Sequence, residues 1–520
     1  MARLTTYNVV IGMIVATGAF GYGYGYGIFI TSIGQAGFYK DLKLDPASSY
    51  TASVIGAVNA LFGFGAALGS IAQGWLSDWL GRKRALATSA LFSLVGAAWT
   101  AGSPYLAMLI TIRLLHGFGL GMLICLVPLY LTEVSPAHCR GVMSGMTVMG
   151  FGLGFVAVGW VSVATFYAHN ETLVWRLPIA LACVGPLGLL AGLYFVPESP
   201  RYLCWIGKND EALKIIERLH CDLDDPENTA AHAEFMQIRA QVEKDKEQKS
   251  GYILMFTKPS WRKRSLLAVF MMFASQATGV NGIANYLLPI FGALGLKGVT
   301  PLLVYAIYTV VGTTAAFVAC FTIDRLGRRK LFLIGFPALA LNLLVEAMLQ
   351  RQYLGTTNQV GLRAAVAFIF LFIILYQFID APSFVWCAEI FPTTIRAKGI
   401  GLSMFSYFVG VITFTTPGPL AFRNMWVPPL LIQHPLLTHA FHSTWRMYLI
   451  FMGLSLTCEV IVYFYVPETR GKPVEEIGAL FGDEVVLHMT SDGRGLVEKI
   501  DGANVARVEL VETEEHAQQV

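Results

Sequence analysis

The sequence predicts an all-α membrane protein: twelve transmembrane helices in two six-helix halves, with cytoplasmic amphipathic helices between the halves. Three observations carry that reading. Of 520 residues, 55% are hydrophobic and only 14% charged, too few charges to clothe a water-soluble chain of this length. The charges are gathered in short stretches between twelve long apolar runs. Charged motifs also occur twice, in the same order, once in each half of the chain.

The apolar runs lie near residues 8–30, 53–75, 86–103, 105–131, 142–166, 175–196, 266–291, 300–323, 331–349, 364–390, 399–421 and 446–466. They are of the order of the 20 helical residues that cross about 30 Å of hydrocarbon. The first run lacks a small-residue cleavage site, so it reads as a span and not as a cleaved signal. Orientation follows from Lys and Arg. Arg82, Lys83, Arg84, Arg140, Arg325, Arg328, Arg329, Lys330, Arg396, Lys398, Arg470 and Lys472 fall on one side, together with the charged segment from Gly207 to Arg264. That side is expected to be cytoplasmic and to carry both termini.

Within that segment, KNDEALKIIERLH and EFMQIRAQVEKDKEQK set apolar residues at helical spacing among polar helix-formers, which predicts amphipathic helices. The organisation expected is an N-terminal half over 1–206, a cytoplasmic linker over 207–264, a C-terminal half over 265–481 and a cytoplasmic tail over 482–520. The polar, acidic tail predicts disorder. Asn170-Glu171-Thr172 is a sequon on the outer side, making Asn170 the expected glycosylation site. The eight cysteines show neither disulfide nor metal spacing, so no metal or cofactor is expected. A net charge of +3 offers nothing to nucleic acid.

DWLGRKR from Asp78 returns as DRLGRRK from Asp324, 246 residues later. Glu133, Pro136 and Arg140 return 256 residues on as Glu389, Pro392 and Arg396, and Val196-Pro197-Glu198-Ser199 returns after 270 as Val466-Pro467-Glu468-Thr469. A duplicated six-span unit accounts for all three. Each motif pairs carboxylates with guanidinium groups at the cytoplasmic ends of spans, where charge escapes the hydrocarbon. We therefore expect Asp78, Arg82, Glu133, Arg140, Glu198 and Arg201, with Asp324, Arg328, Glu389, Arg396, Glu468 and Arg470, to form a latch bridging the halves when the inner side is closed. The alternative is a set of topology-setting charges, to which the acids would add little.

GWLSDWLGRKR, RLLHGFGLG, EVSPAHCRG, PESPRYL, DRLGRR, EIFPTTIRAKG and PETRGKPVEEI together resemble the signature set of the sugar porter family of the major facilitator superfamily, in its fungal hexose and lactose permease branch. The resemblance runs from about Phe20 to Phe481. It implies the major facilitator fold and alternating access, with solute held between the halves near the midplane. The seventh span, SQATGVNGIANYLLP, is similar to the family's sugar-binding pattern: Gln276, Gly279, Asn281 and Tyr286 match, while Ser275 and Asn285 replace a glutamine and a tyrosine. Amides offer donors and acceptors to vicinal hydroxyls, although in membranes they also glue helices together. The implied substrate-binding set is Gln276, Asn281 and Asn285, with Phe384 about where a tryptophan often stacks on the sugar and Trp386 close by.

Two departures stand out. Val148, Gly312 and Val411 occupy positions where the family usually has amides, so an ordinary hexose would forfeit hydrogen bonds of about 0.5–1.5 kcal/mol each. Proton-driven members carry an aspartate in an FGYD-like first span that works with a fourth-span arginine. Here Phe20-Gly21-Tyr22-Gly23 lacks the acid while Arg113 remains. The coupling candidates are then Arg113, Asp380 and His116. Asp380 stands about nine residues, or ~14 Å of helix, from Glu389, which puts a carboxylate near the midplane. Its blander reading is a pairing with a buried base or a cap on the break before Pro382; for His116, one turn from Arg113, it is packing.

No nucleophile, base and oxyanion constellation suggests an enzyme. The expected function is movement of a sugar or sugar-like solute across the cell membrane, by a monomer and as a facilitator, with protons the other partner in play. The alternatives are a fungal carrier or exporter of a less polar secondary metabolite, and a non-transporting sugar sensor, against which the short tail argues.

Overall fold

The computed structural model describes residues 5–46, 48–135, 140–219, 229–247, 251–356, 358–416, 444–470, 477, 480–482, 487–489, 496–500 and 504–508. In the first half α1 (Thr6–Ser32), the short α2 (Ala36–Asp41), α3 (Ser49–Leu80), α4 (Arg82–Ala101), α5 (Leu106–Val134) and α6 (Arg140–Phe166) precede a broken sixth span, α7 (Glu171–Leu181) and α8 (Val184–Gly192). The half closes on α9 (Pro200–Trp205), and the linker holds α10 (Asn209–Leu219), α11 (Thr229–Glu247) and α12 (Tyr252–Thr257). In the second half the seventh span is in three pieces, α13 (Pro259–Ala277), α14 (Val280–Ala284) and α15 (Leu287–Ala293). After it come α16 (Thr300–Leu326), α17 (Arg328–Tyr353), α18 (Gln359–Glu389), α19 (Arg396–Thr415) and α20 (Thr444–Tyr465).

Among the described residues, eleven helical segments are long and apolar enough to cross a membrane. The expected span that falls short is α4, which opens on Arg82-Lys83-Arg84 and buries a small-residue face of Ala85, Ser89, Ala90, Ser93, Gly96 and Ala97. Small residues there let helix backbones meet: a Cβ on Gly96 would lie 2.5 Å from His116 Cα of α5. The outward face of the bundle is apolar, with Trp75, Phe321, Ile334, Leu341 and Phe464 all more than half exposed, as a bilayer solvent requires.

The halves meet along α3 with α19 and α6 with α16. Glycine makes these contacts close: a Cβ on Gly401 would stand 2.5 Å from Ser70 O, and one on Gly159 3.0 Å from Ala306 Cα. The linker forms the amphipathic helices expected of it, and Leu203, Cys204, Ala212, Ile216, Ala231, Phe235 and Val242 make a small core of their own. It is pinned to the first span, where Asn8 Nδ2 donates to Leu219 O at 3.1 Å.

Where it is described, the tail departs from the expected disorder. Leu487–Met489, Leu496–Ile500 and Asn504–Val508 (β1 to β3) form an antiparallel sheet in that order, with Ile500 opposite Asn504. The reason is visible in the alternation of LVEKI and NVARV around Asp501-Gly502, a hairpin signal that a reading by composition alone passes over.

Candidate functional site

At the charged end the duplicated motifs make closely matching contacts in the two halves. Gly81 and Gly327 begin α4 and α17 with φ of +88° and +90°, a conformation that favours glycine. Over each glycine sits the carboxylate of Glu198 or Glu468. Glu198 accepts from the backbone N of Arg82 (2.9 Å) and Lys83 (3.0 Å), and Glu468 from that of Arg328 and Arg329 (both 3.0 Å). Each acid thereby satisfies orphan donors at a helix N-terminus and lies at its positive pole.

Arg82 makes a bidentate pair with Glu133 (2.9 and 3.0 Å), and Arg328 Nη2 lies 2.7 Å from Glu389. Ser199 and Thr469 hydroxyls donate to the same two carboxylates at 2.6 and 2.7 Å. Arg201 lies near Glu133, Arg470 N donates to Glu468 at 3.0 Å, and Arg396 Nε donates to Phe391 O at 3.4 Å. The side chains of Arg140 and Asp324 lie outside the described ones.

These pairs tie helices within a half and not, as expected of them, across the halves, whereas Asp78 of the same expected set does reach across. Among the described residues, an ion pair that crosses joins Asp78 of α3 to Lys398 of α19 at 2.7 Å, with Gln73 Nε2 donating to Ala397 O (2.9 Å) and Tyr252 OH to Ile71 O (2.8 Å) beside it.

Trp386 belongs to this end and not to a solute pocket. It is fully buried and its indole N–H donates to Pro467 O at 3.1 Å. Its repeat counterpart 256 residues earlier, Tyr130, donates its hydroxyl to Pro197 O at 2.7 Å. The aromatic donor three residues before each glutamate therefore anchors the Pro-Glu turn in its half.

Midway through the bundle the amides come together. Gly279, at φ +86° and against the Phe451 ring, breaks the seventh span so that α14 presents Asn281 and Asn285 beside Gln276. Tyr26 OH of α1 donates to Asn281 Oδ1 (2.6 Å) and accepts from Asn285 Nδ2 (3.3 Å). Asn281 Nδ2 donates to Gln276 Oε1; Gln276 Nε2 donates to Ser275 Oγ (2.9 Å) and Tyr376 OH (3.4 Å); and Tyr376 OH donates to Asp380 Oδ1 (2.7 Å). A hydrogen-bonded chain thus runs from the first span to the tenth.

Aromatic rings wall that chain. Tyr22 packs edge-on to Phe151 (5.1 Å) and Phe408 (6.3 Å), and Tyr26 to Phe62 (5.8 Å) and Phe155 (6.0 Å). Phe384 joins the wall through Tyr407 at 5.8 Å. The structure therefore gathers Gln276, Asn281, Asn285, Phe384 and Asp380, and adds Tyr22, Tyr26, Tyr376 and Tyr407. The alternation YGYGYG and the four-residue spacing of Tyr376 and Asp380 on one helix face were the sequence signals available for the additions.

Arg113 and His116 lie behind the Tyr26–Phe62 pair, each 1% exposed. The guanidinium sits over the rings of Phe62 (4.3 Å) and Phe29 (5.2 Å), with Nη1 3.4 Å from His116 Nδ1. The missing first-span acid has no room in this packing, because a Cβ on Gly23 would collide with Phe151 O of α6. At the end remote from the charges, Asn170 caps α7, its Oδ1 accepting from Thr172 N at 3.0 Å. Next to it Lys40 donates to Glu171, which holds its ammonium above the ordinary lysine range.

Two halves joined at a charged end, with a polar chain buried between them, are the anatomy of a carrier, and the comparisons agree. The family model "Sugar (and other) transporter" matches residues 11–481. The chain belongs to that family. Among the transporter's relatives, MFS-type transporter criB of Aspergillus cristatus is 31% identical, covering 92% of this chain and 94% of that one. High-affinity glucose transporter 1 of Candida albicans is 28% identical over 88% and 84%. In fold, the proton:xylose symporter XylE bound to 6-bromo-6-deoxy-D-glucose superposes with a TM-score of 0.75 at 23% identity, covering 92% of this chain and 100% of that one. The transporter is thus a multi-pass membrane protein with the major facilitator fold.

Proposed function

We propose that the transporter moves a polyhydroxylated, sugar-like solute by alternating access, as a facilitator. The observation that carries this is the chain from Tyr26 through Asn281 and Gln276 to Asp380: it spans both halves and is rich in groups that both donate and accept, as vicinal hydroxyls require. Relatives named as glucose transporters support the solute class. The facilitator reading is supported by Gly23, whose packing leaves no place for an acid. The transporter acts as a monomer in the cell membrane with both termini cytoplasmic, so a non-permeant protease should spare a tag at Val520 on intact cells and remove it after permeabilisation.

A second reading makes Asp380 the proton site, since its bond to Tyr376 ties an intramembrane carboxylate directly to the amide chain. Proteoliposomes offered labelled hexoses, pentoses, disaccharides and polyols, with and without a pH gradient, separate the two. A facilitator equilibrates solute and ignores the gradient. Accumulation that Asp380→Asn abolishes while exchange survives would establish coupling through Asp380. Failure to carry any polyol would reject the solute class and leave a less polar cargo, which the aromatic wall would suit.

A further inference from the structure

Arg113 carries a buried positive charge that no described residue neutralises. Among the described residues no carboxylate stands within ion-pair distance of it. Stacking on Phe62 and Phe29 attracts the guanidinium, but two ring faces recover only part of the hydration lost on burial. Among the described residues its Nε has no hydrogen-bond partner, and neither has His116 Nε2.

The polarity of these two orphans is fixed by chemistry. Arginine has only donors, so His116 Nδ1 must accept from Arg113 Nη1 in the contact they make. In the neutral imidazole the ring proton then resides on Nε2, which becomes a second unpartnered donor. That nitrogen faces α1, since a Cβ on Gly25 would lie 3.1 Å from it. One residue on, Tyr26 holds both Asn281 and Asn285.

We infer that Arg113 receives a carboxylate carried by the solute, so that the substrate class is a polyhydroxy acid, a sugar bearing an acid group. The hydroxyls engage Gln276, Asn281 and Asn285. The carboxylate takes Arg113 Nε once the Tyr26 ring turns aside and gives up its bonds to the asparagines, while His116 Nδ1 keeps its contact with Arg113 Nη1. Counter-charge that a first-span aspartate would provide is thereby delivered with each molecule carried. This rests on the transport reading above and specifies its substrate.

The test compares gluconate with glucose in proteoliposomes of the purified protein. The expected result is a kcat/KM for gluconate at least tenfold above that for glucose. Arg113→Gln should lower the gluconate-to-glucose ratio at least tenfold, and Arg113→Lys should restore part of it. Thermal unfolding of the unmutated protein gives a readout independent of variant folding: gluconate should raise Tm more than equimolar glucose does, with sodium chloride as the ionic control. Glucose carried as well as gluconate, or a gluconate preference that survives Arg113→Gln, would overturn the assignment while leaving the transport reading intact. Carriage of neither compound would overturn both.

Discussion

The methylene that an aspartate would need at position 23 has nowhere to go, because the backbone of α6 passes at Phe151 where it would stand. Gly23→Ala should therefore lower Tm in detergent, since overpacking of this kind costs about 1–3 kcal/mol; an unchanged Tm would show that α6 yields freely. Gly23→Asp should be less stable still and should not confer accumulation driven by a pH gradient. Gln276 is wholly buried and bonded to Ser275, Asn281 and Tyr376. Replacing it by alanine should raise KM for the true solute by roughly 5- to 30-fold, the equivalent of one or two net hydrogen bonds of ~1 kcal/mol. Unaltered kinetics in a well-expressed Gln276→Ala protein would reduce the motif to helix glue. Gln276, Asn281 and Asn285 were legible because the seventh-span pattern marks them. Tyr26 was not, because a tyrosine among glycines in an apolar run reads as packing, and its partners lie 255 and 259 residues away.

At the level of the element, the repeat explains more than proximity does. Trp386 is six residues from Asp380, close enough in sequence to suggest a shared pocket. Yet it does for Pro467 what Tyr130 does for Pro197. Trp386→Phe keeps a ring and removes the donor, so it should cost about 1 kcal/mol of stability with KM unchanged; a large KM change at constant Tm would return Trp386 to the solute path. The spans were legible from apolar length alone. Their interruptions were less so: the break at Gly279 depends on a positive φ and on the Phe451 ring, from a distant helix, filling the space a side chain would occupy. The tail sheet was missed for the opposite reason, its period-two pattern being local but diluted by polar composition.

Across the whole molecule, the two-half plan was written in the repeated motifs, but which charges cross between halves was not. Repetition predicts pairs that serve each half equally. The crossing pair seen among the described residues depends on Lys398, whose counterpart 256 residues earlier is Val142. Internal symmetry gives no reason to single out that lysine. The Asp78–Lys398 contact favours the conformer closed at the charged end, and apparent affinity on any side scales with the fraction of carriers open to it. Lys398→Met should therefore lower KM for solute presented at that end and raise it at the other, measured with right-side-out and inside-out vesicles; identical KM values before and after would show the pair to be idle. Detailed balance sets a further condition. A passive carrier must show the same Vmax/KM for entry as for exit, so one ion pair without a mirror image can make the two directions differ in KM only if Vmax differs by the same factor. Entry and exit that break this equality could not come from the asymmetry of the protein and would point to a driving ion.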